Sequence, residues 1–83
     1  MLPLLIQLGC AEPLSPTPAC VSYVSCLEAR DATLGIQTDA VRFDVGGDCW
    51  GNDEIAALCD RACDNGLAWM RAQIDDLPGA CLP

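Results

Sequence analysis

Apolar and polar positions recur with a helical period over Asn52–Asp76, NDEIAALCDRACDNGLAWMRAQIDD. At 100° per residue, Ile55, Leu58, Cys59, Ala62, Cys63, Gly66, Trp69, Met70 and Ile74 share one face. Asp53, Asp60, Arg61, Asp64, Arg71 and Asp75 fall opposite, which predicts one long amphipathic helix with its two cysteines turned inward. Asn52 is placed to cap it, and Asp53 and Glu54 set negative charge at the positive end of the helix dipole. Pro78-Gly79 is the expected stop. Gly66 is the weak point, because glycine inside a helix costs about 1 kcal/mol relative to alanine. It falls on the inner face, where close approach of another helix accounts for it; a break at Asn65-Gly66 is the competing expectation.

A second helix opens at Thr17-Pro18, with threonine as cap and proline at the first helical position. Its stripe is Cys20, Tyr23, Val24, Leu27 and Leu34, with Glu28, Arg30 and Asp31 on the outer side and Gly35 as the stop. Cys26 lies about 120° round from Cys20, so the two sulfurs reach different neighbours. Between the helices, Val41, Phe43 and Val45 alternate like a strand. A lone strand lacks a partner, so the expectation is a short helix capped by Thr38 and ended by Gly46-Gly47. Trp50 then sits beside Cys49 at the turn.

The pattern therefore predicts an all-α fold, a small disulfide-rich helical hairpin with a short third helix. Composition adds how it is held. The chain has 83 residues and four aromatic side chains, Tyr23, Phe43, Trp50 and Trp69. In that size range a hydrophobic core alone is marginal. Seven cysteines point to covalent staples, which persist in oxidising compartments, so an exported protein is expected. A net charge of −8, with no lysine or histidine, argues against nucleic acid and against electrostatic adhesion to anionic lipid.

Met1 to Leu8, MLPLLIQL, is an apolar run followed by Gly9-Cys10. This resembles the end of a bacterial lipoprotein signal peptide, in which an apolar region and a small residue precede the cysteine that is acylated. Two features depart from that pattern: no basic segment precedes the run, and Gln7 stands where an aliphatic residue is usual. The resemblance implies that residues 1–9 are a signal-peptide remnant and that Cys10 carries lipid. Residues 10–17, with prolines at 13 and 16, read as a stiff tether to a stapled domain over 18–83. Ala11 follows the cysteine in place of the aspartate that retains lipoproteins in the inner membrane. By resemblance, this places the protein on the outer membrane or outside the cell.

An odd cysteine count in an exported protein requires a separate fate for one sulfur. With Cys10 acylated, Cys20, Cys26, Cys49, Cys59, Cys63 and Cys81 remain for three bridges. Six cysteines allow fifteen pairings. A continuous last helix holds Cys49 and Cys81 more than about 30 Å apart, too far for a bridge. In an antiparallel hairpin the start of the first helix meets the end of the last. The expected set is then Cys20–Cys81, Cys26–Cys63 and Cys49–Cys59. The segments CDRAC and LPGAC also resemble the cysteine spacing of elicitins, small helical secreted proteins that carry sterols.

Other chemistry finds little footing. Structural zinc prefers C-x-x-C pairs or histidine, and the chain has neither. A redox pair would want C-x-x-C and a depressed thiol pKa, whereas Asp60 and Asp64 flank Cys59 and Cys63. The acidic clusters Asp48/Asn52/Asp53/Glu54 and Asp75/Asp76 lack the alternating ligands and glycine of an EF-hand. No histidine is present to serve a serine nucleophile. The expectation is a non-enzymatic envelope lipoprotein without cofactor or metal. It would be held to the membrane by its lipid and act as a structural or protein-interaction module. The alternative is a carrier of an apolar, lipid- or sterol-like ligand between the helices, near Tyr23, Trp50 and Trp69.

Overall fold

Both long helices begin at their expected caps. The computed structural model describes residues 14–83, and the first helix, α1, spans Pro18–Leu34. Thr17 accepts a hydrogen bond from the Cys20 amide at 3.4 Å, and Pro18 occupies the first turn, where no donor is needed. Gly35 ends the helix in the left-handed region at φ 69°, which glycine enters without steric penalty. The second helix, α2, spans Asp53–Gln73 and runs unbroken through Gly66. The Asn52 carboxamide oxygen accepts from the Ile55 amide at 2.9 Å, completing the cap. The helix stops before the expected Pro78-Gly79: Ile74 is already extended, and Asp76 turns the chain at φ 56°.

Three contacts order the two helices against each other. Cys20 is bonded to Cys63, the Tyr23 ring stands against Gly66, and the Cys26 sulfur lies 3.7 Å from the Met70 sulfur. The residue numbers rise together, so α1 and α2 run in the same direction where they meet. The all-α architecture of two packed helices and short helical turns is as expected; the antiparallel direction is not. The cause is the connection over residues 35–52, which travels back along α1 instead of turning directly into α2. The Thr38 hydroxyl donates to Asp31 Oδ2 at 2.8 Å. The Phe43 ring meets Tyr23 edge-on at 5.9 Å, and Cys49 and Trp50 close on Cys20. By then the chain is beside the start of α1, and α2 sets out from there.

The connection carries two single turns of 3-10 helix, Val41–Phe43 and Asp48–Trp50, and a third, Gly79–Cys81, follows α2. The expected helix capped by Thr38 is thus shorter. Its cap position is Ala40, because the Thr38 hydroxyl is engaged by Asp31. Phe43 faces inward, while Val41 and Val45 are exposed, and the Trp50 indole N–H donates to the Phe43 carbonyl at 3.1 Å.

Among the described residues the buried set is Cys20, Cys26, Cys49, Trp50, Cys63, Leu67, Met70 and Cys81. Five of these eight are half-cystines. The core is therefore a line of sulfur between two helices, with Trp50 at one end and Leu67 and Met70 at the other. The buried stripe of α2 is Ala56, Cys59, Cys63, Leu67, Met70 and Ile74. It is rotated toward Leu67 from the expected face by about 60° at 100° per residue. Ile55, Leu58 and Trp69 are correspondingly exposed, at 41%, 56% and 60%. A domain this thin has a second layer for only one side of α2.

Candidate functional site

The arrangement with the most chemistry in it is the cystine ladder. Cys20 bonds Cys63, Cys26 bonds Cys81, and Cys49 bonds Cys59. Cys49–Cys59 is the expected pair. The other two exchange partners relative to the expectation, and helix direction is the reason. In a parallel pair the start of α1 lies beside the middle of α2, so Cys20 finds Cys63. The far half of α1 lies beside the end of α2, so Cys26 finds the turn that follows it. As anticipated from their angular separation, Cys20 and Cys26 reach different elements: α2 and the Gly79–Cys81 turn.

Each bridge is supported locally. The Cys81 turn is tied down by Arg71, whose Nε donates to the Cys81 carbonyl at 2.6 Å. Cys26–Cys81 lies among Leu67, Met70, Leu27 and Ile74. The Cys20–Cys63 bridge lies with Cys49 and Trp50, flanked by Leu14, Ala19, Tyr23 and Phe43. Gly66 allows this spacing: a Cβ there would stand 2.7 Å from Tyr23 Cε1 and 3.0 Å from Cζ. The close approach expected at this glycine is made, and the partner is a tyrosine ring.

Among the described residues, two openings are notable. One, of about 350 Å³, is bounded by Asp39, Val41, Arg42, Asp48, Ile55 and the Cys49–Cys59 bridge. The other, of about 280 Å³, lies between α1 and the returning connection, with Val21, Val24, Phe43 and Val45 on its apolar walls and Glu28 and Asp44 at its edge. The three aromatics expected to line a ligand site do not converge. Tyr23 and Trp50 pack in one cluster, whereas Trp69 stands 60% exposed elsewhere on α2.

No group of three or more histidine, cysteine, aspartate or glutamate side chains among the described residues could hold a metal ion. The acidic residues near α2's start serve its helix terminus: Asp53 and Glu54 lie in its first turn. Among the described residues no helix is long and apolar enough to cross a membrane. Cys10, the expected acylation site, lies outside the described residues, as do the apolar run before it and the first part of the tether.

The fold and its bridges define a small helical protein stapled by three disulfides, which belongs in an oxidising, extracytoplasmic environment. No protein-family model, curated protein sequence or solved structure matches the chain.

Proposed function

We propose that this protein is a non-enzymatic lipoprotein of the cell envelope, anchored through an acylated Cys10 and displaying its domain as a structural or protein-interaction module. The observation that carries the reading is the cysteine account. Cys20, Cys26, Cys49, Cys59, Cys63 and Cys81 are all consumed in pairs, and the seventh cysteine is Cys10, directly after LIQLG. An exported chain with one unpaired sulfur needs a use for it, and acylation at a lipobox-like site supplies one. The filling of the space between the helices by cystine favours display over carriage, since a carrier needs an enclosed apolar volume.

Detergent phase partitioning tests the anchor. Wild type expressed with a complete export signal is expected in the detergent phase and Cys10→Ser in the aqueous phase. Both in the aqueous phase overturns the reading. The carrier alternative, to which the elicitin-like spacing also leads, predicts saturable changes in tryptophan emission on adding sterol or lipid. Their absence discards it.

A further inference from the structure

Resting on the lipid-anchor reading, we propose that the domain docks on the membrane with its tether end down. The contact is an apolar rim of Val21 and Val45 over the groove formed by Pro16, Val24 and Phe43, and the surface it fits is a phospholipid headgroup layer of little net charge. Leu14 packs against the cluster of Cys20, Cys49, Trp50 and Cys63, so the point where the tether joins is fixed relative to the domain. Pro16 is already part of the groove wall. Four chain steps separate Cys10 from Leu14, and an extended chain spans at most about 3.6 Å per residue, so an anchor at Cys10 cannot hold Leu14 more than about 14 Å away. The headgroup zone of one leaflet takes up about 5–8 Å of that reach. A domain held so closely touches the bilayer with the end that carries Leu14.

That end is where the returning connection brings its apolar residues. Val45 is 84% and Val21 54% exposed, and they flank the same groove. Asp44 and Glu28 at its edge, with the chain's net charge of −8, select against a strongly anionic surface. At the other end of α1, Leu34 and Ile36 are exposed to a similar degree, 54% and 55%. Leu34 stands about 20 Å further along the helix axis at 1.5 Å per residue, and Ile36 follows its Gly35 cap, which makes the two internal controls.

The test uses the acylated wild-type chain, methyl-labelled at valine, leucine and isoleucine, in phosphatidylcholine nanodiscs carrying a paramagnetic headgroup lipid. The methyls of Val21 and Val45 are expected to broaden at least fivefold more than those of Leu34 and Ile36. Replacing half of the lipid with an anionic one at low salt is expected to reduce that broadening at least twofold. Uniform broadening, or stronger broadening at Leu34 and Ile36, overturns the docking, and a protein occupant of the groove gives that same uniform result. Intact mass separates the two levels. A missing acyl mass sinks the anchor and the docking together, whereas acyl mass with uniform broadening sinks the docking alone.

Discussion

Replacing Gly66 by alanine sets two effects of similar size against each other. In an isolated helix the change gains about 1 kcal/mol in propensity. In this protein the new methyl would lie 2.7 Å from Tyr23 Cε1 and 3.0 Å from Cζ, well inside contact distance. Tyr23 has little freedom to withdraw. Its backbone is held between Cys20 and Cys26, both bridged, and its ring edge abuts Phe43 at 5.9 Å. Overpacking of this kind costs about 1–3 kcal/mol. The expected net effect of Gly66→Ala is therefore between neutral and about 2 kcal/mol of destabilisation, from the difference of those two figures. In a Tyr23→Ala background the clash is gone and only the propensity gain remains, so the same substitution becomes stabilising by about 1 kcal/mol. The coupling read from the double-mutant cycle is then about 1–3 kcal/mol. Urea unfolding with the disulfides intact, followed by far-UV circular dichroism, gives all four stabilities. An equal rise in the unfolding midpoint on introducing Gly66→Ala into both backgrounds would refute the claim that the tyrosine ring is what this glycine makes room for.

Four further outcomes follow from the ladder and the tryptophans. Removing a bridge by paired Cys→Ala change costs, in the chain-entropy model, about 4 kcal/mol for Cys26–Cys81 or Cys20–Cys63 and about 2.7 for Cys49–Cys59. Those figures follow from sequence separations of 55, 43 and 10. Denaturant midpoints check the ranking, and a costlier loss of Cys49–Cys59 contradicts it. Under limiting dithiol, Cys49–Cys59 is expected to open first, because Cys59 is partly exposed at the wall of an opening while the other four half-cystines are at most 1% exposed. Differential alkylation with peptide mapping reads the order, and early labelling of Cys26 or Cys81 contradicts it. Trp50 is 6% and Trp69 60% exposed, so acrylamide quenching should follow Trp69. Trp69→Phe leaves a shielded, blue-shifted emission, and strong quenching of that variant contradicts the burial of Trp50. Trp50→Phe, which leaves the Phe43 carbonyl without its indole donor, costs at least about 1 kcal/mol.

The elements were legible because local chemistry decides them. Thr17-Pro18, Gly35 and Asn52 act within one helical turn of themselves, and each does in the structure what its residue type predicts. The end of α2 was less so. Pro78-Gly79 is a strong stop, but the Gly79–Cys81 turn must reach back to Cys26, and the chain leaves the helix at Gln73 to let it. The inner face of α2 was misplaced because hydrophobicity alone treats Leu58 and Trp69 as core. Burial here follows the sulfurs, and the face that holds Cys59 and Cys63 also holds Leu67, which the apolar pattern left out. Of the site residues, the three-bridge use of six cysteines was readable from their number; Cys10 rests on its motif.

Helix direction and cysteine pairing were one unknown, not two. Once α1 and α2 are taken as antiparallel, Cys20 must meet the end of the chain; once they are parallel, it must meet the middle of α2. The signal that separates these cases was the segment over residues 35–52. Antiparallel neighbours are usually joined by about 2–8 residues. This connection is long enough to cover the whole of α1, about 25 Å for its 17 residues at 1.5 Å each. It also carries Phe43 and Trp50, which a simple turn would leave in water. Each finds a partner on α1 only if the segment folds back: Phe43 against Tyr23, and Trp50 in the cluster of Cys20. Aromatic residues in an overlong connection thus imply that the connection is a packed layer. A packed return path sets the next helix off in the same direction as the first, and the pairing of the sulfurs follows from that.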